Sequence, residues 1–275
     1  MIDLHSHSLA SDGQHSPTEL VRLAAAAGVT HLALTDHDTV AGIDEARRAA
    51  DAAGIELIAG IEISASLEKR EVHILGHFVD PGHPQLAAFG ERMRRERVAR
   101  IEAMIVKLRR LDVAVSLDDV LPFSGGTNLG RPHLARALVA RRYCRDLREA
   151  FDRYLGNGRP AYVEHQEFTT REAIALVHEA GGTATIAHPL PSRLAQPHLE
   201  KLAKEGLDGV EADHPEHTEA QRGSLVKTAY KLGMVPTGGS DFHGEAVTPD
   251  RRPGCGRTKS KDLEALRARA KPLPV

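Results

Sequence analysis

Residues 2–13 read IDLHSHSLASDG, and the pattern SPTELVRLAAAAG follows at residues 16–28. The first stretch predicts a short apolar strand that ends in two histidines and a turn. The second begins with Ser16 and Pro17 and has Glu19 three residues after the serine, which indicates a capped helix start. Strand followed by helix is the repeating unit of α/β folds, so the start of the chain predicts that fold class.

The same alternation recurs along most of the chain. Six further runs rich in Val, Ile and Leu predict strands; they read THLALTDH, IELIAGIEIS, EVHILGHFV, GTATIAHP, DGVEAD and GMVPTGGSD. Helical patterns separate most of these runs, and a glycine follows the end of five helices, at Gly28, Gly54, Gly181, Gly206 and Gly233. Seven strands with about six helices in a mainly parallel arrangement fit a barrel better than an open sheet.

The alternation breaks between about residues 84 and 165. There PQLAAFGERMRRERVARIEAMIVKLRRL predicts a long amphipathic helix, SLDDVL a short capped turn, and RPHLARALVARR and DLREAFDRYL two more helices. We therefore expect a barrel formed by residues 1–83 and 166–275, interrupted by an all-helical insertion at residues 84–165 that acts as a substrate-binding lid.

The charge of this helical insertion differs from that of the barrel. Residues 91–160 contain 16 Lys or Arg and nine Asp or Glu, a net charge of +7, and the whole chain carries −2, so the remainder carries −9. A basic module beside an acidic barrel suggests a polyanion held against a cation-binding site. A solvated, charged helix surface is the alternative.

The composition excludes several classes of protein. Of the 275 residues, 41% are hydrophobic and 27% charged, and no apolar run is long enough to cross a bilayer. The first residues do not resemble a secretory signal, so we expect a cytoplasmic protein. We expect it neither to bind a membrane nor to need an obligate protein partner. Cys144 and Cys255 are far apart and outside any CxxC pattern, so any metal ligands are expected to be nitrogen and oxygen.

Histidines and carboxylates occur at the ends of the predicted strands. His73 lies within the fourth strand, and the other strands end near His5 and His7, Asp36 and His37, Glu62, His188, Asp213, and Asp241 and His243. In an α/β barrel the carboxyl ends of the strands meet on one face, where active sites are built. Each residue alone has an ordinary explanation as a cap or a surface group. The set as a whole predicts a metal centre, and its mixture of imidazole and carboxylate favours Zn, Mn or Fe over Mg or Ca.

The motifs HSHS, SDG, LTDHDT, GIEIS, VHILGH, AHP and GSDFHG, in this order, resemble the polymerase and histidinol phosphatase (PHP) family of amidohydrolase-like enzymes. Within the insertion, GRPHLARAL and GNGRPAYVEH resemble the subgroup that acts on nucleotides, the 3′,5′-nucleotide bisphosphate phosphatases and 5′-to-3′ exoribonucleases. This resemblance implies a distorted seven-stranded, TIM-like (β/α)7 barrel. Two residues depart from the pattern: Glu164 stands where a proline precedes His165, and His214 stands where another polar residue is expected.

The resemblance also implies nine metal ligands in three sets. The first set is His5, His7, Glu62 and Asp241; the second is Glu62, His73 and His188; the third is Asp12, His37 and His243. Two or three divalent transition-metal ions are expected, with manganese as the first choice and iron or zinc as alternatives. Asp241 and His188 are then predicted to be catalytic.

Phosphate recognition requires fixed donors near the metals, and arginine is well suited to it. Arg131 is the first candidate, for catalysis and binding, because it follows Gly130 at a predicted helix start, where backbone N–H groups favour an anion. His165 and Arg193 are further candidates for substrate binding. The remaining histidines without motif support are predicted to be solvated or structural; they are His15, His31, His77, His83, His178, His198 and His217.

The expected activity is removal of the 3′-phosphate from 3′,5′-bisphosphate nucleotides such as pAp, by a hydroxide that bridges the first two metals. The first alternative is a 5′-to-3′ exoribonuclease that acts on short 5′-phosphorylated RNA. A small-molecule phosphatase of the histidinol-phosphate type is another alternative. The last is a non-catalytic, nucleotide-binding or partner-binding PHP module, for which loss of metal ligands would be the signature.

Overall fold

The computed structural model describes residues 1–124, 129–164 and 168–271. Seven strands form one sheet in chain order. They are β1 (Ile2–Asp3), β2 (His31–Leu34), β3 (Glu56–Leu67), β4 (Arg70–His77), β5 (Thr183–Ile186), β6 (Gly209–Asp213) and β7 (Val235–Gly238). The predicted seven-stranded α/β architecture is confirmed.

The segments that follow β1 and β7 nearly close this sheet into a barrel. A parallel bridge joins Ser6 to Phe242, and the backbone N–H of Asp241 donates to the carbonyl oxygen of His5 at 2.9 Å. Gly239 permits this approach, because a Cβ at that position would collide with the backbone and Cβ of His5. The first and last predicted metal-binding segments therefore lie side by side.

The direction of β4 differs from that of the strands in a uniformly parallel barrel. β4 pairs antiparallel with both β3 and β5, whereas the other neighbouring strands are parallel. Glu68 and Lys69 connect β3 to β4 with φ values of 52° and 64°, as in a tight hairpin, and a two-residue hairpin cannot join parallel strands. Because β4 runs backwards, His73 near its start lies at the same barrel end as the carboxyl ends of the parallel strands.

β3 is longer than expected. The prediction that Glu62 ends the third strand is wrong, because β3 continues to Leu67 in the hairpin with β4. Glu62 instead lies in the middle of the strand and is 1% exposed.

Ten α-helices are present in the described residues. They are α1 (Pro17–Ala26), α2 (Ile43–Ala53), α3 (Pro84–Arg109), α4 (Leu117–Val120), α5 (Arg131–Ala140), α6 (Leu147–Ala150), α7 (Thr170–Glu179), α8 (Gln196–Lys204), α9 (Glu219–Lys231) and α10 (Ser260–Arg267). A 3₁₀ turn (Leu121–Phe123) follows α4, and a π-helical turn (Phe151–Leu155) follows α6. α10 lies outside the predicted elements. No helix in the described part of the chain is long and apolar enough to span a membrane.

The long helix α3 contributes to two hydrophobic cores. Its first half, with Leu86, Phe89 and Met93, packs with β3, β4, β5 and α7. Its second half, from Ile101 to Leu108, packs with α5 in a separate core. The helical insertion is thus attached to the barrel through one continuous helix, next to the barrel end that carries the histidines.

Candidate active site

Glu62 occupies the centre of a group of buried imidazoles. Its Oε2 atom lies 3.2 Å from His5 Nε2, 3.1 Å from His7 Nε2 and 3.2 Å from His37 Nδ1. These histidines come from the segments after β1 and β2, so one carboxylate oxygen of β3 faces ligand-type atoms from both neighbouring strands.

The second oxygen of Glu62 faces the other side of the barrel. Oε1 lies 2.9 Å from His73 Nδ1 and 3.2 Å from His188 Nε2, and these two nitrogens are 3.3 Å apart. Glu62 therefore has the geometry expected of a carboxylate shared between two metal positions.

Asp241 approaches the same group from the segment after β7. Its Oδ1 atom lies 3.4 Å from His5 Nε2, 3.3 Å from His7 Nε2 and 3.4 Å from His243 Nδ1. The carboxylates of Asp241 and Glu62 thus share two histidines, as the first predicted ligand set requires.

Asp12 lies at the opposite edge of the group. Its Oδ1 atom is 3.4 Å from His243 Nε2 and 3.9 Å from His7 Nδ1, and its Oδ2 atom is 3.9 Å from His37 Nε2. These are the residues of the third predicted set, with His7 facing both Asp12 and Asp241.

The structure brings all nine predicted ligands together. Four overlapping groups have ligand atoms within 4.8 Å of one another: His7, Asp12, His37 and His243; His5, His7 and Asp241; His5, Glu62 and His188; His37, Glu62 and His73. The second predicted set is therefore divided between two of these groups, with Glu62 in both. Assignment of each residue to a particular ion stays a prediction.

The buried polar atoms of this cluster fit divalent cations. Among the described residues, His5 Nε2, both ring nitrogens of His7 and Glu62 Oε2 are buried without a hydrogen-bond partner. Buried polar atoms in native proteins are nearly always satisfied, and nitrogen and oxygen atoms 3 to 4 Å apart around a common centre are satisfied by a metal ion. The donor set thus supports metal binding by this cluster.

Glu211 on β6 orients two of the ligands. Its Oε1 atom is 2.9 Å from His5 Nδ1, and its Oε2 atom accepts from the backbone N–H of His188 at 2.7 Å. Burial raises the pKa of Glu211, but the charge of His5 and its hydrogen bond outweigh burial and lower the pKa to about 2. This carboxylate turns Nε2 of His5 toward Glu62, as carboxylates behind metal-binding histidines commonly do.

Glu211 takes the place at the site that the sequence suggested for Asp213. The pairing register of β6 with β7 shifts between these two residues, so they do not share one face of the strand. Asp213 instead forms an ion pair with Arg222 at 2.8 Å. Strict alternation along DGVEAD would have placed both acids on one face, and the register shift is not visible in the sequence.

His214 and Arg251 hold the outer oxygen of Asp241. Nδ1 of His214 accepts from the backbone N–H of Glu216, so Nε2 carries the proton and donates to Asp241 Oδ2 at 3.3 Å. Arg251 donates to the same oxygen and, at 3.0 Å, to the carbonyl oxygen of Asp241. The unexpected histidine at position 214 therefore supports Asp241, whose Oδ1 atom stays directed at the histidines.

Two predicted ligands have left-handed backbone conformations. The φ angles are 27° at His188 and 47° at Asp241. Residues other than glycine rarely adopt such angles, at a cost of about 1–3 kcal/mol each, and in native proteins they cluster at functional sites. The bond from His188 N–H to Glu211 and the bond from Asp241 N–H to His5 maintain these conformations.

Residues 3–93 match the family model of the PHP domain. The chain is 41% identical over 245 residues to a 5′-3′ exoribonuclease of Haemophilus influenzae, an alignment that covers 88% of this chain and 89% of that protein. The chain belongs to the PHP family. It is also 36% identical over 247 residues to a 3′,5′-nucleoside bisphosphate phosphatase of Chromobacterium violaceum, covering 88% of this chain and 87% of the relative.

A solved structure agrees with this assignment. A protein of Bifidobacterium adolescentis, described as a metal-dependent phosphoesterase, superposes with a TM-score of 0.91 and 33% identity, over 98% of this chain and 96% of that chain. The ligand geometry and these relatives identify the chain as a metal-dependent phosphoesterase of the PHP fold. The resemblance to the nucleotide-acting subgroup is confirmed.

Arg131 lies beside the nine predicted metal ligands of this PHP protein, which are called the metal cluster below. It is the first residue of α5, and its Nη2 atom donates to both oxygens of Glu71 at 3.0 and 3.1 Å. Its Nη1 atom donates to Asn157 at 2.8 Å. Glu71 precedes His73 by two residues in β4, so the two share a strand face and Arg131 reaches the rim of the metal cluster.

The other predicted substrate residues have different outcomes. Arg193 is exposed, and its carbonyl oxygen accepts from Arg70 at 3.1 Å. No hydrogen bond or ion pair joins the Arg193 side chain to the metal cluster within the described ranges. His165 lies outside the described residues, so its role stays a prediction.

A second arginine of the insertion was missed in the sequence. Arg97 on α3 donates to Asp38 Oδ2 at 2.8 and 2.5 Å and to Ser64 Oγ at 3.0 Å, and Ser64 pairs with His73 across the β3–β4 hairpin. Since Arg97 lies among several arginines in a helix, its spacing gave no signal; only the fold reveals its contact with the barrel rim.

Proposed function

We propose that this PHP protein removes the 3′-phosphate of 3′,5′-bisphosphate nucleotides, as in the conversion of pAp to AMP. One observation carries the proposal: arginines of the helical insertion lie along the rim of the metal cluster. Arg97 reaches Ser64, which pairs with His73 from β3, and Arg131 reaches Glu71, which is two residues before His73 in β4. A substrate with two phosphates fits this arrangement, with the phosphate to be cleaved at the cluster and the other at the arginines.

The chain's own residues would hold and orient both the ions and the substrate. Glu62, Asp241, Asp12 and the six clustered histidines would hold two or three divalent ions, with Mn as the first choice. When bound, these ions supply Lewis-acid chemistry that activates water and offsets the charge of the phosphate. Glu211, His214 and Arg251 fix the orientation of His5, His188 and Asp241. A fixed cluster of this kind lowers the barrier because it needs no reorganisation during the reaction.

Asp241 is suited to binding a cation and poorly suited to donating a proton. Burial raises its pKa, but His5 and His243 outweigh burial and hold the pKa well below its usual range. His214 and Arg251 both donate to its outer oxygen. The leaving ribose oxygen therefore takes its proton from a group other than Asp241.

Glu71 holds Arg131 in a conformation that a phosphate could use. The guanidinium forms a two-bond contact with the carboxylate, and Phe151 and Tyr162 lie 5.9 and 5.7 Å from it. Arg100 is also 3.9 Å from Glu71. A phosphate oxygen has the same donor requirement as a carboxylate oxygen, so the second phosphate of the substrate would compete with Glu71 for these arginines.

The second candidate function is 5′-to-3′ trimming of short 5′-phosphorylated RNA. The Haemophilus influenzae relative, at 41% identity, carries that activity in its name and favours this alternative. The same cluster would cleave a phosphodiester, while the arginines of the insertion would hold the terminal 5′-phosphate.

A comparison of substrates tests the proposal. Protein reconstituted with Mn²⁺ would be assayed with pAp, AMP, histidinol phosphate and a 5′-phosphorylated RNA oligomer, with Asp241→Asn as the inactive control. The proposal expects the highest kcat/KM with pAp and little release from AMP or histidinol phosphate. A higher kcat/KM for the RNA oligomer would establish the second function in its place.

A further inference from the structure

His133 is a buried histidine of the insertion with one unused donor. It lies in the first turn of α5 and is fully buried. Its Nδ1 atom accepts from the backbone N–H of Gly130 at 2.9 Å. An imidazole nitrogen that accepts a hydrogen bond carries no proton, so the proton of the neutral ring is on Nε2. Among the described residues this Nε2 atom is buried and has no hydrogen-bond partner.

The face of α5 that carries His133 packs against the Asp12 turn. Arg136, one turn later on the same face, donates to the carbonyl oxygen of Asp12 at 3.0 Å. Burial lowers the pKa of His133 to about 4, and the nearby Asp12 carboxylate opposes this shift. Asp12 and His243 belong to one of the ligand groups, so the face of α5 that carries Arg136 and His133 packs at that edge of the metal cluster.

An arginine without an ion-pair partner in the described ranges lies one turn from His133 on α5. Arg136 donates to the carbonyl oxygens of Asp12 and Phe123, and no carboxylate of the described ranges forms an ion pair with it. A half-buried guanidinium without a carboxylate partner favours an anion nearby. Arg97 also lies close, with its Nη1 atom donating to the carbonyl oxygen of Leu129 at 3.4 Å.

We propose that His133 binds the phosphate undergoing hydrolysis, by donating its Nε2–H to a phosphate oxygen at the edge formed by Asp12 and His243. This inference rests on the proposed phosphatase function and adds a binding residue to it. An orphan N–H donor, an arginine without an ion-pair partner in the described ranges and the start of a ten-residue helix belong to the part of α5 that contacts the Asp12 turn. Each favours an anion, and the neutral imidazole acts as a hydrogen-bond donor.

Two substitutions separate this role from a purely structural one. In His133→Asn the side-chain oxygen can take the position of Nδ1 and keep the bond from Gly130, but the Nε2–H donor is lost. In His133→Gln the amide nitrogen can take the position of Nε2 and keep that donor, but the Nδ1 acceptor is lost. A structural role for His133 therefore predicts higher phosphate affinity and kcat/KM in His133→Asn than in His133→Gln. A phosphate-binding role predicts the opposite order.

The experiment measures the affinity of Mn²⁺-loaded wild type and both variants for inorganic phosphate by calorimetry, and their kcat/KM with pAp. Loss of one hydrogen bond to a charged ligand corresponds to about 10- to 100-fold. We expect the phosphate affinity and the kcat/KM of His133→Asn to fall by this factor. Both quantities should be at least about fivefold higher in His133→Gln than in His133→Asn. Phosphate affinity of the Gln variant equal to or below that of the Asn variant overturns the proposal. Wild-type turnover of pAp tests the proposed function separately, because phosphate binding does not depend on that substrate.

Discussion

Two regions contribute different chemistry to one site. They are the barrel mouth, which is the end of the barrel that carries the nine predicted metal ligands, and the helical insertion. In the barrel mouth, nine histidines and carboxylates form four overlapping groups with ligand atoms within 4.8 Å of one another, and buried residues behind them fix their orientation. The insertion contributes arginines that form bonds to barrel residues at the rim. The candidate reaction centre is therefore built into the barrel, and we propose that the insertion selects the phosphate compound that reaches it.

The largest effect is expected in the barrel mouth. Asp241→Asn removes a carboxylate that faces three histidines, so phosphate release should fall by about 1000-fold or more. The melting temperature should stay within a few degrees of wild type, because Asn can still accept from His214 and Arg251. Colorimetric phosphate release and thermal unfolding measure these quantities. Activity near the wild-type level would remove Asp241 from the site.

The residues that orient the metal ligands should affect metal affinity. Arg251→Met leaves His214 as the remaining described side-chain donor to Asp241 Oδ2. We expect Mn²⁺ affinity to fall by about 10- to 100-fold, as for other residues that orient metal ligands. Calorimetric titration of metal-free protein measures it, and kcat at saturating Mn²⁺ should change much less. Unchanged affinity would show that His214 alone holds Asp241.

A smaller effect is expected in the insertion. Arg131→Lys keeps the charge but loses the planar two-bond fork, so KM for pAp should rise by about 10-fold with little change in kcat or metal content. Glu71→Gln is the matched variant, since it weakens the competitor of phosphate for Arg131 and should lower KM. A rise in KM for Glu71→Gln would contradict competition between Glu71 and the substrate.

The smallest effect is expected from histidines outside the site. His15 forms a partly exposed pair with Glu245 at 2.8 Å, and such pairs contribute about 1 kcal/mol or less. His15→Ala should therefore leave kcat/KM and Mn²⁺ affinity within about twofold of wild type. A loss comparable to that of Asp241→Asn would mean that the metal site extends beyond the nine predicted ligands.

The sequence predicted the barrel mouth better than the insertion for a physical reason. His5 and His7 lie two residues apart directly after β1, and short parallel strands force their ends together, so residue type and position sufficed. The antiparallel β4, the register shift that selects Glu211 over Asp213, and the extension of β3 beyond Glu62 depend on pairing between distant segments. Those pairings leave no local pattern.

The contacts of the insertion are harder to predict. Arg97 and His133 look like ordinary helical residues in the sequence, since a helix brings many side chains to its surface at similar spacing. Their relation to the metal cluster follows from the packing of α3 and α5 against the barrel, through contacts to Asp38 and Asp12. Only the tertiary structure distinguishes them from the other basic residues of the insertion.

The rate of phosphate release from pAp, measured while Mn²⁺ is added to chelator-treated protein, tests the central claim most directly. The account predicts no release from the metal-free protein and a saturable rise with added Mn²⁺, absent in Asp241→Asn. Release by the metal-free protein at the same rate would contradict a metal-dependent reaction in the barrel mouth.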